Sequence, residues 1–200
     1  MFLSRCTART IPYRRGGFSL VELMITLAIV FLVTGMALVK YSSFNYTVLL
    51  KSQAYEMALD IRQAQVFGIS ASGQSQRVVS NRAVFNEAYG IYIDLGASTL
   101  NYQLFQDITP GTQYRYNNGE AVGPVNSLDP RFTISRICDQ ANSCTTSGNA
   151  SIAFKRPNFD AILYIGNTRK TRLEITLASV DDPTITRVVK VYQSGQITVQ

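Results

Sequence analysis

Glu22 is the residue whose position most demands a chemical reason. Between Phe18 and Val39 it is the only charged side chain in a run of some twenty apolar residues. A carboxylate near the bilayer centre costs roughly 2.5–3.5 kcal/mol on insertion scales, so one kept near the end of a membrane-length helix points to function. The chemistry it suits is charge pairing, because an amine brought alongside would relieve a carboxylate held among apolar helices. Two other groups invite a chemical reading. Cys138 and Cys144 are separated by Asp-Gln-Ala-Asn-Ser, and Arg169, Lys170 and Arg172 form a basic cluster with Lys155, Arg156, Arg187 and Lys190 nearby in sequence. Catalysis lacks its usual parts. The chain has no histidine, hence neither the commonest general base nor the commonest metal ligand. It also has no nucleophile-elbow, phosphate-loop, zinc-protease or CxxC motif. No enzyme activity, metal or cofactor is expected, and two cysteines alone fall short of the four ligands of structural zinc.

The charges around the apolar run set its direction. Arg5, Arg9, Arg14 and Arg15 precede it and Lys40 alone follows it, so the amino-terminal side is expected to stay cytoplasmic and the remainder to lie outside. Of 19 basic residues four lie before Phe18, which leaves 15 against 13 acidic residues and a net charge of only +2 beyond that point. In an oxidising extracytoplasmic compartment Cys138 and Cys144 are expected to pair, closing a ring worth roughly 2 kcal/mol; the alternative is two free thiols. Cys6 belongs to the segment before the apolar run.

One helix is expected from about Phe18 to about Ser70, roughly 80 Å at 1.5 Å per residue. No proline occurs between Pro12 and Pro110. After the apolar half, Leu50, Ala54, Met57, Ala58, Ile61 and Ala64 fall on one helical face that needs a partner. Tyr41–Thr47, rich in residues of low helix propensity, and Gly35 are its weak points. Ser70-Ala71-Ser72-Gly73 ends it. Beyond Gly73 short alternating segments predict antiparallel strands: Arg77–Val79 with Ala83–Phe85, then Tyr89–Asp94, Tyr102–Phe105, Phe132–Cys138, Ser151–Phe154, Leu173–Leu177, Ile185–Tyr192 and Ile197–Val199. A long irregular connection is expected around Asn117-Asn118-Gly119 and Gly123-Pro124. Helix followed by strands gives an α+β domain with the stripe at 50–64 packed on the sheet.

The block Arg14-Arg15-Gly16-Gly17-Phe18-Ser19-Leu20-Val21-Glu22-Leu23 resembles the signal of type IV prepilins. In that family a short basic leader ends in glycine, phenylalanine follows, and a glutamate stands fifth in the mature chain. The resemblance implies cleavage by a prepilin peptidase between Gly17 and Phe18, N-methylation of Phe18, and a role for Glu22 in assembly by pairing with the amino terminus of a neighbouring subunit. The other readings are an uncleaved signal anchor and a secretory signal peptide, although the run exceeds the 7–15 residues of a secretory apolar region. The implied organisation is a leader at 1–17, a transmembrane and filament-core helix at 18–40, its amphipathic continuation at 41–72 and a β-rich domain at 73–200.

The order of Tyr89-Gly90-Ile91-Tyr92-Ile93-Asp94, Tyr102-Gln103-Leu104-Phe105, Ile152-Ala153-Phe154-Lys155-Arg156-Pro157 and Ser194-Gly195 is similar to minor pseudopilins of the GspH/FimT type. This resemblance implies a structural subunit of a type IV pilus or a type II secretion pseudopilus. Its expected partners are other pilin or pseudopilin subunits, prepilin peptidase, an inner-membrane assembly platform and the inner membrane itself. The subunit would span that membrane once, with its carboxy-terminal domain outside, and join a filament after assembly. FimT-like members bind DNA through a Gly-Arg-x-Arg sequence, but the matching stretch here reads Gly195-Gln196-Ile197-Thr198. Arg169, Lys170 and Arg172 are the candidate DNA contacts that remain, against the reading of an ordinary solvated face shared with Asp160, Glu174, Asp181 and Asp182; DNA is not the favoured partner.

Overall fold

The computed structural model describes residues 17–70, 87–108 and 114–200, and the side chains of all of these except residues 38–44. The chain divides between Ser42 and Ser43 into two units. Helix α1 runs Leu20–Ile69. Its amphipathic portion belongs to the second unit, where Leu50, Ala54, Met57, Ala58, Ile61 and Ala64 are all buried, as their helical spacing predicts. Each fully buried Leu, Met or Ile contributes about 1.5–3 kcal/mol relative to exposure. Lys51, Glu56, Arg62 and Gln63 face solvent on the other sides of the helix.

Among the described residues eleven strands pair antiparallel in two sheets. The first sheet contains β1 (Ala88–Asp94), β2 (Asn101–Asp107), β3 (Asn126–Ser127), β6 (Asn149–Phe154), β7 (Ala161–Ile165) and β8 (Thr168–Lys170), in the order β3-β2-β1-β6-β7-β8. The second contains β4 (Phe132–Asp139), β5 (Cys144–Thr145), β9 (Arg172–Ser179), β10 (Thr186–Tyr192) and β11 (Ile197–Val199), in the order β11-β10-β9-β4-β5. One core joins the helical stripe to both sheets through Ile91, Ile93, Ile152 and Phe154 on one side and Phe132, Ile134, Ile175 and Val189 on the other. The predicted apolar face of Phe132, Ile134 and Ile137 breaks strict alternation by one residue. A register shift between Ile134 and Arg136 absorbs the extra position, so that Ile134 and Ile137 are both fully buried.

Polar contacts fix where the helix sits in this unit. The Tyr102 hydroxyl donates to Asp60 Oδ2 at 2.6 Å, and the Asn126 amide donates to the same oxygen at 3.2 Å. Burial, reinforced by that bond to Asp60, pushes the Tyr102 phenol far above its ordinary range. Gln53 Oε1 accepts from the Asp129 amide and Gln65 Nε2 donates to the Gly195 carbonyl, so the helix is tied at both ends of its buried stripe. At Gly68 the approach to β6 is so close that a Cβ would lie 2.3 Å from the Phe154 carbonyl oxygen. Gly195 turns the chain between β10 and β11 at φ +80°, where a side chain would be strained and would also meet the Phe159 carbonyl.

The strands predicted at Tyr89–Asp94, Tyr102–Phe105, Phe132–Cys138, Ser151–Phe154, Leu173–Leu177, Ile185–Tyr192 and Ile197–Val199 are all present, each within a few residues of its expected bounds. Four were not anticipated, among them the two-residue strands β3 and β5. Ala161–Ile165 forms β7, and Thr168–Lys170 forms its hairpin partner β8. The candidate strands Arg77–Val79 and Ala83–Phe85 lie outside the described residues, as does the segment 1–16 with Arg14 and Arg15.

Candidate functional site

Ser19 immediately precedes the helix, and its carbonyl accepts from the Leu23 amide at 3.1 Å. Glu22 then stands in the first helical turn, where the positive end of the helix dipole favours a carboxylate by about 0.3–1 kcal/mol. Ser19 and Glu22 have the Ser-x-x-Glu spacing of a capping box, a local signal that charge alone does not carry. From Gly17 to Ala37 every residue is exposed, and Phe18 is 82 % exposed. Leu20–Ala37 has a mean hydropathy of 2.3, and its 18 residues span about 27 Å, close to a hydrocarbon core of about 30 Å. Two threonines in this stretch satisfy themselves locally: Thr26 donates to the Leu23 carbonyl at 2.9 Å and Thr34 donates to that of Val30. Glu22 has no such internal partner among the described residues. Gly17 is equally telling, because a Cβ added there would meet no atom within 4 Å. Nothing in the packing of the described residues requires glycine at that position.

The disulfide joins Cys138 of β4 to Cys144 of β5, which face one another across that hairpin. The six-residue separation works because the turn is organised by Asp139. Its Oδ1 accepts from the Ala141 and Ser143 amides, both at 2.9 Å, and its Oδ2 takes Lys170 Nζ at 2.7 Å. The Lys170 ammonium, followed by the Ser143 amide, holds the Asp139 carboxyl below the usual carboxylate range.

The basic cluster is largely neutralised. Lys170 pairs with Asp139, while Arg172 Nε and Lys190 Nζ lie 3.0 and 3.3 Å from Glu174 Oε1. Arg172 also donates to the Gln140 carbonyl and Asn142 Oδ1. Of the three candidate contacts, Arg169 alone is exposed and without an ion pair among the described residues. The structure thus sets Arg169, Lys170 and Arg172 close together, but two of them serve to join the edge strand β8 and strand β9 to the disulfide hairpin.

A feature that sequence reasoning missed is the segment Tyr114–Asn117, which covers the outer face of the first sheet. Tyr116 stacks on Tyr92 with centroids 4.7 Å apart and meets Phe105 edge-on at 6.0 Å. The signal was present as Tyr-Arg-Tyr beside a turn sequence, but alternation over three residues does not announce a partner sheet.

The description "Prokaryotic N-terminal methylation motif" matches residues 13–38. No curated protein and no solved structure is significantly similar to the chain.

Proposed function

We propose that this protein is a minor pilin or pseudopilin of the GspH/FimT kind, a subunit of a type IV pilus or a type II secretion filament. The premise is that the matched amino-terminal motif supports a type IV pilin-like precursor processed by prepilin peptidase. The precursor rests in the inner membrane through residues 18–40 with its β domain outside. Cleavage after Gly17 frees the Phe18 amine, which is methylated, and an assembly platform then transfers the helix from lipid into a bundle of like helices. Glu22 guides that transfer. In lipid its charge is costly, and in the bundle the Phe18 amine of a neighbouring subunit relieves it.

The observation that carries this reading is an exposed apolar span with one carboxylate that finds no partner among the described residues. Among the described residues no packing demands glycine at position 17, which supports it, since the requirement then falls to an external enzyme. Intact-mass measurement of membrane-extracted protein tests the proposal. A chain beginning at methylated Phe18 is expected, and Gly17→Ala should leave unprocessed precursor. A mature chain that retains Met1, or one cut after the apolar run, would end the prepilin reading.

A further inference from the structure

The outer face of the first sheet holds a polar pocket that filament assembly through the helix does not use. It measures about 150 Å3, and Tyr92, Arg115, Asn117, Asn149, Ser151 and Asn167 line it. Its wall is fixed rather than loosely draped. Tyr114 takes φ +66°, a conformation that a bulky residue adopts only when its surroundings impose it. Here the Tyr114 amide donates to Asp107 Oδ2 at 2.7 Å, and Lys155 Nζ lies 5.6 Å from the centre of its ring. The Asn117 amide donates at 2.7 Å to Glu120, a carboxylate only 2 % exposed. Arg115 crosses the mouth to donate to Asn167 Oδ1, with its guanidinium 5.7 Å from the Tyr164 ring centre. A site built in advance does not lose affinity to ordering on binding.

The lining defines the ligand by what it offers. Three amides and a serine hydroxyl supply donors and acceptors, with the Asn117 side-chain amide already donating to the Arg115 carbonyl and Glu120 and Asn167 Oδ1 accepting from Arg115, while among the described residues no carboxylate and no aliphatic side chain lines the pocket. A cation or an apolar ligand finds no counterpart there. A flat base finds no slot either, because Tyr92 and Tyr116 already stack on each other at an interplanar angle of 26°. Sugar hydroxyls donate and accept as amides do, and the volume suits one ring. We propose that this pocket binds a single hexose-sized sugar unit, and that Arg115 gives preference to a sugar bearing a carboxylate.

The test uses the full-length processed protein in micelles of a detergent without a sugar headgroup. Saturation-transfer NMR is run with glucose and glucuronate, and phosphorus NMR with inorganic phosphate. Saturable millimolar binding of both sugars is expected, with glucuronate favoured about tenfold through its charge-assisted bond to Arg115. Arg115→Gln should abolish that preference. Asn167→Asp, on an exposed turn, should do the same by pairing with Arg115 instead, and it keeps the test decisive if the first variant misfolds. Absence of saturable transfer to either sugar would overturn the proposal. So would phosphate binding as tight as glucuronate, or a glucuronate preference unchanged in the folded variants.

Discussion

Asp139 does more for the domain than a single surface charge could, because one carboxylate organises the disulfide turn and holds the edge of the other sheet through Lys170. Its lowered folded pKa sets the sign of its pH dependence. The stability it adds is complete above the ordinary carboxylate value of about 4 and is lost as pH falls through the folded value. Asp129, held at about 2 by Arg131, contributes with the same sign. Burial raises Asp107 and Glu87, so their contributions are present at acid pH and lost as pH rises through their folded values. The melting temperature of Asp139→Asn should therefore fall below wild type by a constant amount above about pH 5, with the gap closing towards pH 2. A gap that persists at pH 2 would mean that the side chain acts through something other than its charge. Glu22 makes the opposite kind of prediction. Glu22→Ala removes a charge from an apolar helix, so membrane insertion should be unimpaired while co-purification with other pilus or pseudopilus subunits falls. Unchanged co-purification would refute its assembly role.

At the scale of elements, the helix was legible and part of the sheet was not. Six apolar positions with helical spacing named the buried stripe residue by residue, because a helix half in water can hide only one side. The strands that alternate strongly were equally plain. By contrast, β7 reads Ala-Ile-Leu-Tyr-Ile, apolar throughout, with Ile162 packing outward beside Tyr114 and Tyr116 while Leu163 enters the core. Its partner β8 reads Thr-Arg-Lys and has only cross-strand pairing to declare it. Contacts made by residues distant in sequence left no periodic trace. The close seat of α1 on β6 is one of these, and Gly68→Ala should cost about 1–3 kcal/mol because the clash is with backbone and not a movable side chain. Chemical denaturation would measure it, and a neutral substitution would show that the helix end is free to shift. The disulfide was anticipated from compartment and spacing. Thiol labelling of unfolded, unreduced protein should find no free thiol in the mature chain, and the double Cys138→Ser/Cys144→Ser variant should lose about 2 kcal/mol.

Viewed whole, the molecule is less basic where it counts than its composition suggests. Lys170, Arg172 and Lys190 are committed to Asp139 and Glu174, and nonspecific affinity for DNA follows the number of phosphates neutralised. Titration of the mature protein with labelled duplex at about 0.15 M salt should show weak binding or none. Tight binding lost on Arg169→Ala would restore a DNA-receptor reading. The ties of α1 to both sheets also settle how the β domain bears force. A pull delivered along the helix loads the buried stripe, the Asp60–Tyr102 bond and the Gln53 and Gln65 links together, in shear. A pull on Gln200 would instead peel this edge from β10 one pair at a time, from Gln200, bonded to Val188, towards Ile197. The domain is mechanically polar: strong when hauled along its helix, weak when tugged at β11.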